Sequence, residues 1–376
     1  MTPSPHKKFR VLIVDDSAFM CKVLEQIFNA DAQLQVVGHA KDGREAVSLA
    51  DSLKPDVITM DINMPHVDGL QATAEIMTTN PRPIVIVSSE SREGAASTLR
   101  ALELGAIEFV AKPSSGIDLD MHSIQDDLLR KVRTAAKVRV VRTASRLAAT
   151  LQKAAANPAP RPAAPPLSRP APSSGLDQRF PVVVLAASTG GPATVMRLAP
   201  GFTRDFPGAV ILVQHMPASF TTQYATQLAE FTSIRVKEAE AGEFLLPGTL
   251  YICPGGQHLR VTPTGRIQLD GRSGRLNGYL PNIDVTMESV AVYAGSMSIG
   301  TILTGMGNDG AAGCKAIKAV GGLVIAQDEA TSVIFGMPSE AIKTGAVDQI
   351  LGIDDIYPAI EKRVIGVSRQ APVGVR

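Results

Sequence analysis

Twice along this chain, short uninterrupted apolar runs alternate with amphipathic stretches, and no other feature restricts the fold as tightly. In the first half the runs are FRVLIV (9–14), LQVVGHA (34–40), DVITM (56–60), PIVIVSS (83–89) and AIEFV (106–110). Helical periodicity fills the gaps, as in AFMCKVLEQIFNA (18–30) and REAVSLADSL (44–53). Strands that are apolar throughout and alternate with helices predict a parallel sheet covered on both faces. The pattern restarts near Phe180, with runs at 181–187, 209–214, 249–254, 298–304 and 322–327. Helices are predicted over 192–199, 219–232, 284–295 and 310–320, and HLRVTPTGRIQLD (258–270) reads as a hairpin turning at Pro-Thr-Gly. The expected fold class is α/β, with two doubly wound parallel-sheet domains.

Between the two patterns a helix is predicted from about Asp118 towards Lys153. NPAPRPAAPPLSRPAPSSG (157–175) follows, with seven prolines and almost nothing to bury. Such a segment is an extended, semi-rigid connector. It is also basic: ten Lys or Arg and no acidic residue lie between Asp127 and Asp177, which reads as a solvated face. The boundaries expected are 1–125 for the first domain, 126–178 for a helical extension and linker, and 179–370 for the second domain. The tail VSRQAPVGVR (367–376) is expected to be disordered.

A chain of 376 residues, 45% apolar, can fill two cores, and with no Trp those cores must be aliphatic. A net charge of +1 gives no global argument for nucleic acid or a membrane surface. Cys21, Cys253 and Cys314 are far apart without metal-ligand spacing, as expected of buried thiols in a reducing compartment. No signal-like or membrane-length apolar run occurs, so a cytoplasmic protein that is not membrane-inserted is expected.

In a doubly wound sheet, ligands collect at the carboxyl ends of the strands. In the first domain those ends carry Asp15 and Asp16, then Asp61, then Ser88 and Ser89, then Lys112. Taken singly they read as a helix cap, a turn former and a surface lysine. Together they describe a phosphate-accepting switch. Three carboxylates in one crevice repel unless a cation neutralises them, and oxygen ligands beside a phosphoryl group suit Mg2+. Lys112 would add positive charge beside the product, and Ser88 could donate to a phosphate oxygen.

These residues resemble the receiver domain of response regulators, across 9–113. The resemblance implies a flavodoxin-like fold and phosphorylation of Asp61 by a histidine kinase. It places Asp15, Asp16, Asp61 and the Asn63 carbonyl around Mg2+. It makes Ser88, Phe109 and Lys112 the switch residues.

The second domain offers Ser188 after the run 181–187, His215 after 209–214, and Asp309 in TGMGNDG after 298–304. A hydroxyl, an imidazole and a carboxylate at three strand ends are the parts of a hydrolytic triad. Six histidines occur in the chain and two in this domain, His215 and His258; only His215 directly follows a strand, leaving His258 as a substrate-side candidate. Thr189, Gly190 and Met306 are candidates for oxyanion or substrate contacts. Other readings stay open at this point. Ser-Thr-Gly-Gly-Pro also fits a phosphate-binding turn or a helix cap, Asp309 also fits the N-cap of helix 310–320, and the GxSxG elbow is absent.

ASTGGP, QHMP, CPGGQHL (253–259) and LTGMGNDGAAG (303–313), in this order, resemble the catalytic domain of the chemotaxis protein-glutamate methylesterases, the CheB family. The receiver–linker–esterase order matches as well. The resemblance implies a Rossmann-like catalytic domain without a cofactor. Ser188 would be its nucleophile, His215 its base and Asp309 the orienting acid. Its substrates would be methylated glutamates and particular glutamines of chemoreceptors. A rival reading, a response regulator whose output binds nucleic acid, lacks a basic recognition helix in 180–376. Another keeps the esterase but not the chemotaxis substrate.

Overall fold

The computed structural model describes residues 8–89, 91–112, 120–138 and 179–370. The N-terminal domain contains β1 (Phe9–Val14), α1 (Ala18–Ala30), β2 (Leu34–Ala40), α2 (Gly43–Leu53) and β3 (Val57–Met60). It continues with α3 (Gly69–Thr79), β4 (Ile84–Ser89), α4 (Arg92–Glu103), β5 (Glu108–Lys112) and α5 (Asp120–Ala135). Its five strands are parallel in the order β2-β1-β3-β4-β5. The first four helices begin on side-chain caps, with Ser17, Asp42, Asp68 and Ser91 accepting from backbone N–H groups three residues on. Leu128, Val132 and Ala135 of α5 pack with Val11, Ile13 and Val85. The boundary expected between 125 and 126 therefore falls inside a helix that belongs to this core. Among the described residues that helix ends at Ala135 and a turn follows, short of the predicted run towards Lys153, of which 139–153 lie outside them. The proline-rich 157–175 also lies outside the described residues.

The second domain contains β6 (Val182–Ala187), α6 (Gly191–Leu198), β7 (Ala209–Gln214), α7 (Ala218–Leu228), β8 (Arg235–Glu238) and β9 (Thr249–Ile252). The hairpin β10 (His258–Val261) and β11 (Ile267–Asp270) follows, then α8 (Ile283–Ala294), β12 (Ser298–Ile302) and α9 (Ala311–Ala319). The chain closes with β13 (Leu323–Gln327), α10 (Gly336–Lys343), β14 (Gln349–Leu351) and α11 (Ile353–Gln370). Seven parallel strands run β14-β13-β12-β6-β7-β9-β8, so both domains have the α/β architecture expected of them. Residues 367–370 of the supposed disordered tail continue α11; 371–376 lie outside the described residues. Strand order reverses at β6, with β7 on one side and β12 on the other, which makes the carboxyl end of β6 the natural crevice. No helix among the described residues is long and apolar enough to cross a membrane.

The two domains share one apolar cluster, in which Leu99, Leu102 and Phe109 join Phe220, Tyr224 and Val195. The Phe109 and Phe220 rings lie 4.4 Å apart. Also across the two domains, the buried amide of Gln227 donates to the carboxylate of Glu103, which pairs with Arg100 as well.

Candidate active site and acidic pocket

At the carboxyl edge of the first sheet, Asp15 and Asp61 are buried and Asp16 is exposed. One oxygen from each lies within 4.8 Å of the others, a set that can hold a metal ion. Lys112 Nζ bridges Asp15 Oδ2 at 2.8 Å and Asp61 Oδ1 at 3.0 Å. Burial raises the Asp61 carboxyl above the usual carboxylate range, and Lys112 works against that shift. Burial also opposes the Lys112 ammonium, but Asp61 and Asp15 outweigh it and leave the amine above its ordinary value. The loop after β3 passes so close that a Cβ on Gly69 would stand 2.0 Å from the Asp61 carbonyl oxygen, so only glycine fits there.

Ser88 Oγ is buried with no hydrogen-bond partner, a costly state for a hydroxyl. A phosphoryl oxygen on Asp61 is the kind of acceptor such a group awaits. Phe109, one strand over, points into the other domain, and its carbonyl accepts from Lys131 Nζ at 2.7 Å. Asn63 is exposed on the loop that follows Asp61.

In the second domain Ser188, His215 and Asp309 converge from the ends of β6, β7 and the loop after β12. His215 Nε2 lies 2.8 Å from Asp309 Oδ2. A carboxylate only accepts, so Nε2 carries the hydrogen and Nδ1 is left as the ring's acceptor. Asp309 is not the cap of α9, which starts on Gly310. Its carboxylate instead accepts from Ile283 N at 2.8 Å and Asp284 N at 3.1 Å, donors at the start of α8 that have no partner within the helix. That helix terminus compensates a fully buried negative charge.

Ser188 sits on backbone that is held from several directions. Its N–H donates to Thr304 O at 3.1 Å, and its carbonyl accepts from Gly191 N at 2.8 Å and from Gln214 Nε2 at 2.9 Å. The same Gln214 amide reaches His215 O at 3.3 Å, so one buried side chain spans the backbones of both residues. A Cβ on Gly305 would stand 2.8 Å from Ser188 Cβ. Gly190, at φ +75°, starts α6 without a side-chain cap. Among the described residues the N–H groups of Thr189, Gly190 and Met306 make no hydrogen bond, which leaves them available as donors. Met306 Sδ instead meets Thr134 Oγ1 of α5, from the first domain, at 3.1 Å.

His258 does not face a substrate. It is buried, Nε2 donates to Gly274 O at 2.8 Å, and Nδ1 accepts from Asn282 N at 3.1 Å, so both nitrogens are spent on the loop ahead of α8. Two residues with evident roles are not marked by the sequence motifs: Gln214, and Tyr279, whose ring stacks on His215. Only Tyr279 carried a local signal, the Asn277-Gly278 turn before it. Cys253 and Cys314 are buried thiols, with Cys314 pushed up to about 12 by burial, whereas Cys21 is only half-buried.

Residues 183–360 match the family model described as CheB methylesterase, and residues 11–125 match the response regulator receiver domain. The protein-glutamate methylesterase/protein-glutamine glutaminase of Symbiobacterium thermophilum is 41% identical over 367 residues, covering 97% of this chain and 99% of the relative. Its counterpart in Pyrococcus abyssi is 40% identical, covering 96% and 95%. The second such protein of Nitratidesulfovibrio vulgaris is 43% identical, covering 93% and 98%. The chain belongs to the CheB methylesterase family. In this CheB family member the matched segments contain both crevices, with Asp15, Asp16, Asp61, Ser88 and Lys112 in one and Ser188, His215 and Asp309 in the other.

Proposed function

We propose that this protein is a phosphorylation-controlled hydrolase of chemotaxis adaptation, which removes methyl groups from chemoreceptor glutamate esters and deamidates particular receptor glutamines. The observation that carries the reading is the 2.8 Å His215–Asp309 contact at the switch point of the second sheet, beside Ser188.

Ser188 Oγ attacks the ester carbonyl while His215 Nδ1 takes its proton, and Asp309 holds the ring through Nε2. The carbonyl oxygen gains the negative charge, and the unbonded N–H groups of Thr189, Gly190 and Met306 are the donors that would stabilise it. Collapse breaks the C–O bond to methoxide, which leaves as methanol with the proton from His215. Water, deprotonated by His215, then cleaves the acyl-serine bond and releases glutamate. With a glutamine substrate the leaving group is ammonia and the remaining steps are unchanged. These steps draw on no cofactor.

Control would begin at Asp61, phosphorylated by a chemotaxis histidine kinase. Asp15, Asp16, Asp61 and the Asn63 carbonyl would hold Mg2+, whose charge screens the incoming phosphoryl group. Ser88, Phe109 and Lys112 would read the product. Thr134 on Met306 and Phe109 on Phe220 support a docked state in which the first domain restrains the esterase loop. We assign residues up to about 138 to the receiver and 179–370 to the esterase. Soluble receptor domains facing the cytoplasm suit a chain of this kind.

Methanol release from methylated receptor membranes, with and without a phosphodonor, tests the reading. Release that rises on phosphorylation is expected. Absence of methanol under both conditions would overturn it.

A further inference from the structure

Behind the imidazole of His215 lies a residue that neither the sequence patterns nor the proposed chemistry uses. Tyr279 stacks on that ring, centroid to centroid at 4.6 Å and 14° from parallel. Its hydroxyl end fills the space beside Gly307, where an added Cβ would stand 2.0 Å from Oη. One aromatic ring thus lies against both the histidine and the glycine loop that carries Met306.

The segment bearing Tyr279 is built to hold it. Leu276 and Tyr279 exchange two 3.0 Å backbone hydrogen bonds across Asn277 and Gly278, both at positive φ, the geometry of a tight two-residue hairpin turn. Asn282 Nδ2 ties Leu276 O at 3.2 Å, and buried His258 ties Gly274 and Asn282. A few residues later the same segment presents Ile283 N and Asp284 N to Asp309. Residues 274–284 therefore grip the acid by backbone donors and the imidazole by an aromatic face.

We propose that Tyr279 is a positioning residue, whose ring fixes the plane of the His215 imidazole so that Nδ1 addresses Ser188 while Nε2 stays on Asp309. A single hydrogen bond leaves an imidazole free to rotate about the N···O axis, and the stacked ring removes that freedom. The stack needs an aromatic face and not a hydroxyl, so phenylalanine should serve and an aliphatic residue should not. This inference rests on the reading of His215 as the base.

The test uses the full chain with Tyr279→Phe, Tyr279→Leu and, should the leucine variant fail to fold, Tyr279→Met. Thermal unfolding and phosphorylation of Asp61 by a small phosphodonor establish that each variant is folded. Methanol release should show kcat down about 10- to 100-fold in the leucine or methionine variant, with KM within about twofold, and near-parental kcat in Tyr279→Phe. Imidazole 15N shifts of His215, measured without substrate, should show the Nε2–H tautomer in the parent and in Tyr279→Phe and a mixture in the aliphatic variants. Unchanged kcat and unchanged 15N shifts in the aliphatic variant would overturn the proposal, as would equal loss of kcat in Tyr279→Phe. If the parent released no methanol the functional reading would fail, while the 15N shifts would still decide whether the ring positions His215.

Discussion

The two crevices are made the same way and wired differently. Each lies where strand order reverses in a parallel sheet, and each gathers its groups from separate strand ends. In the esterase crevice the acid is fully partnered, although Gln214 Oε1 has no partner: Asp309 accepts from His215 and two backbone N–H groups. In the receiver crevice, Ser88 Oγ is an orphan, and three acidic side chains are offset by a single lysine. A site that must lower a barrier on every turnover gains from groups already in place. A switch gains from a resting arrangement that a new charge can improve, because only a difference in interaction between two states moves their balance.

Removing a group from the prewired site should cost most. Ser188→Ala should lower methanol release roughly 10⁴-fold or more, while phosphorylation of Asp61 proceeds unchanged. Retained turnover in that variant would move the nucleophile elsewhere. Asp309→Asn comes next, at roughly 10³- to 10⁴-fold in kcat, since an amide can present a donor to Nε2 and turn the imidazole tautomer round. It should also lower Tm, because two donors at the start of α8 lose their carboxylate. Loss of activity without loss of stability would show that the helix terminus does not depend on Asp309.

How far the sequence exposed this contrast depends on the kind of signal. Continuously apolar runs located the central strands within a residue or two, and β1, β2, β7 and α1 fell on their predicted limits. Edge strands β8, RVKE, and β14, QIL, escaped because one is charged and half-exposed and the other too short to show a period. The residues at strand ends were legible because topology alone places them. His258 misled because a histidine beside a strand looks the same whether it faces solvent or holds a loop. Gln214 and Tyr279 act through contacts between segments far apart in the chain, and spacing does not encode those. A boundary at 125 cuts α5, because that segment announces itself as a helix but not as part of the β-sheet core.

The contact between the two domains should respond more modestly. Glu103 receives Gln227 from the esterase and Arg100 from its own helix, in a buried setting. Glu103→Ala should weaken the docked state and raise methanol release without a phosphodonor by about fivefold to tenfold, the effect of one hydrogen bond of ordinary net strength. The phosphorylated rate should change little. Unchanged basal release would mean that this contact is held equally in both states.

The smallest effect is the most diagnostic of a switch held away from its best arrangement. Burial raises the Asp61 carboxyl, so the folded chain binds that proton more tightly than the unfolded chain does. Stability from this group is therefore full below the ordinary carboxylate range and declines as pH rises through the raised value. At neutral pH the ionised Asp61 is a net cost, partly offset by Lys112. Asp61→Asn should then raise Tm at pH 7 by a few degrees, lose that advantage towards about pH 4, and abolish activation by a phosphodonor while sparing basal release. Added Mg2+ should raise the parent's Tm at pH 7 and not the variant's, because the ion needs the carboxylate that the substitution removes. A variant less stable than the parent at pH 7 would show that Lys112 more than offsets the burial, and the receiver crevice would then be as prewired as the esterase one.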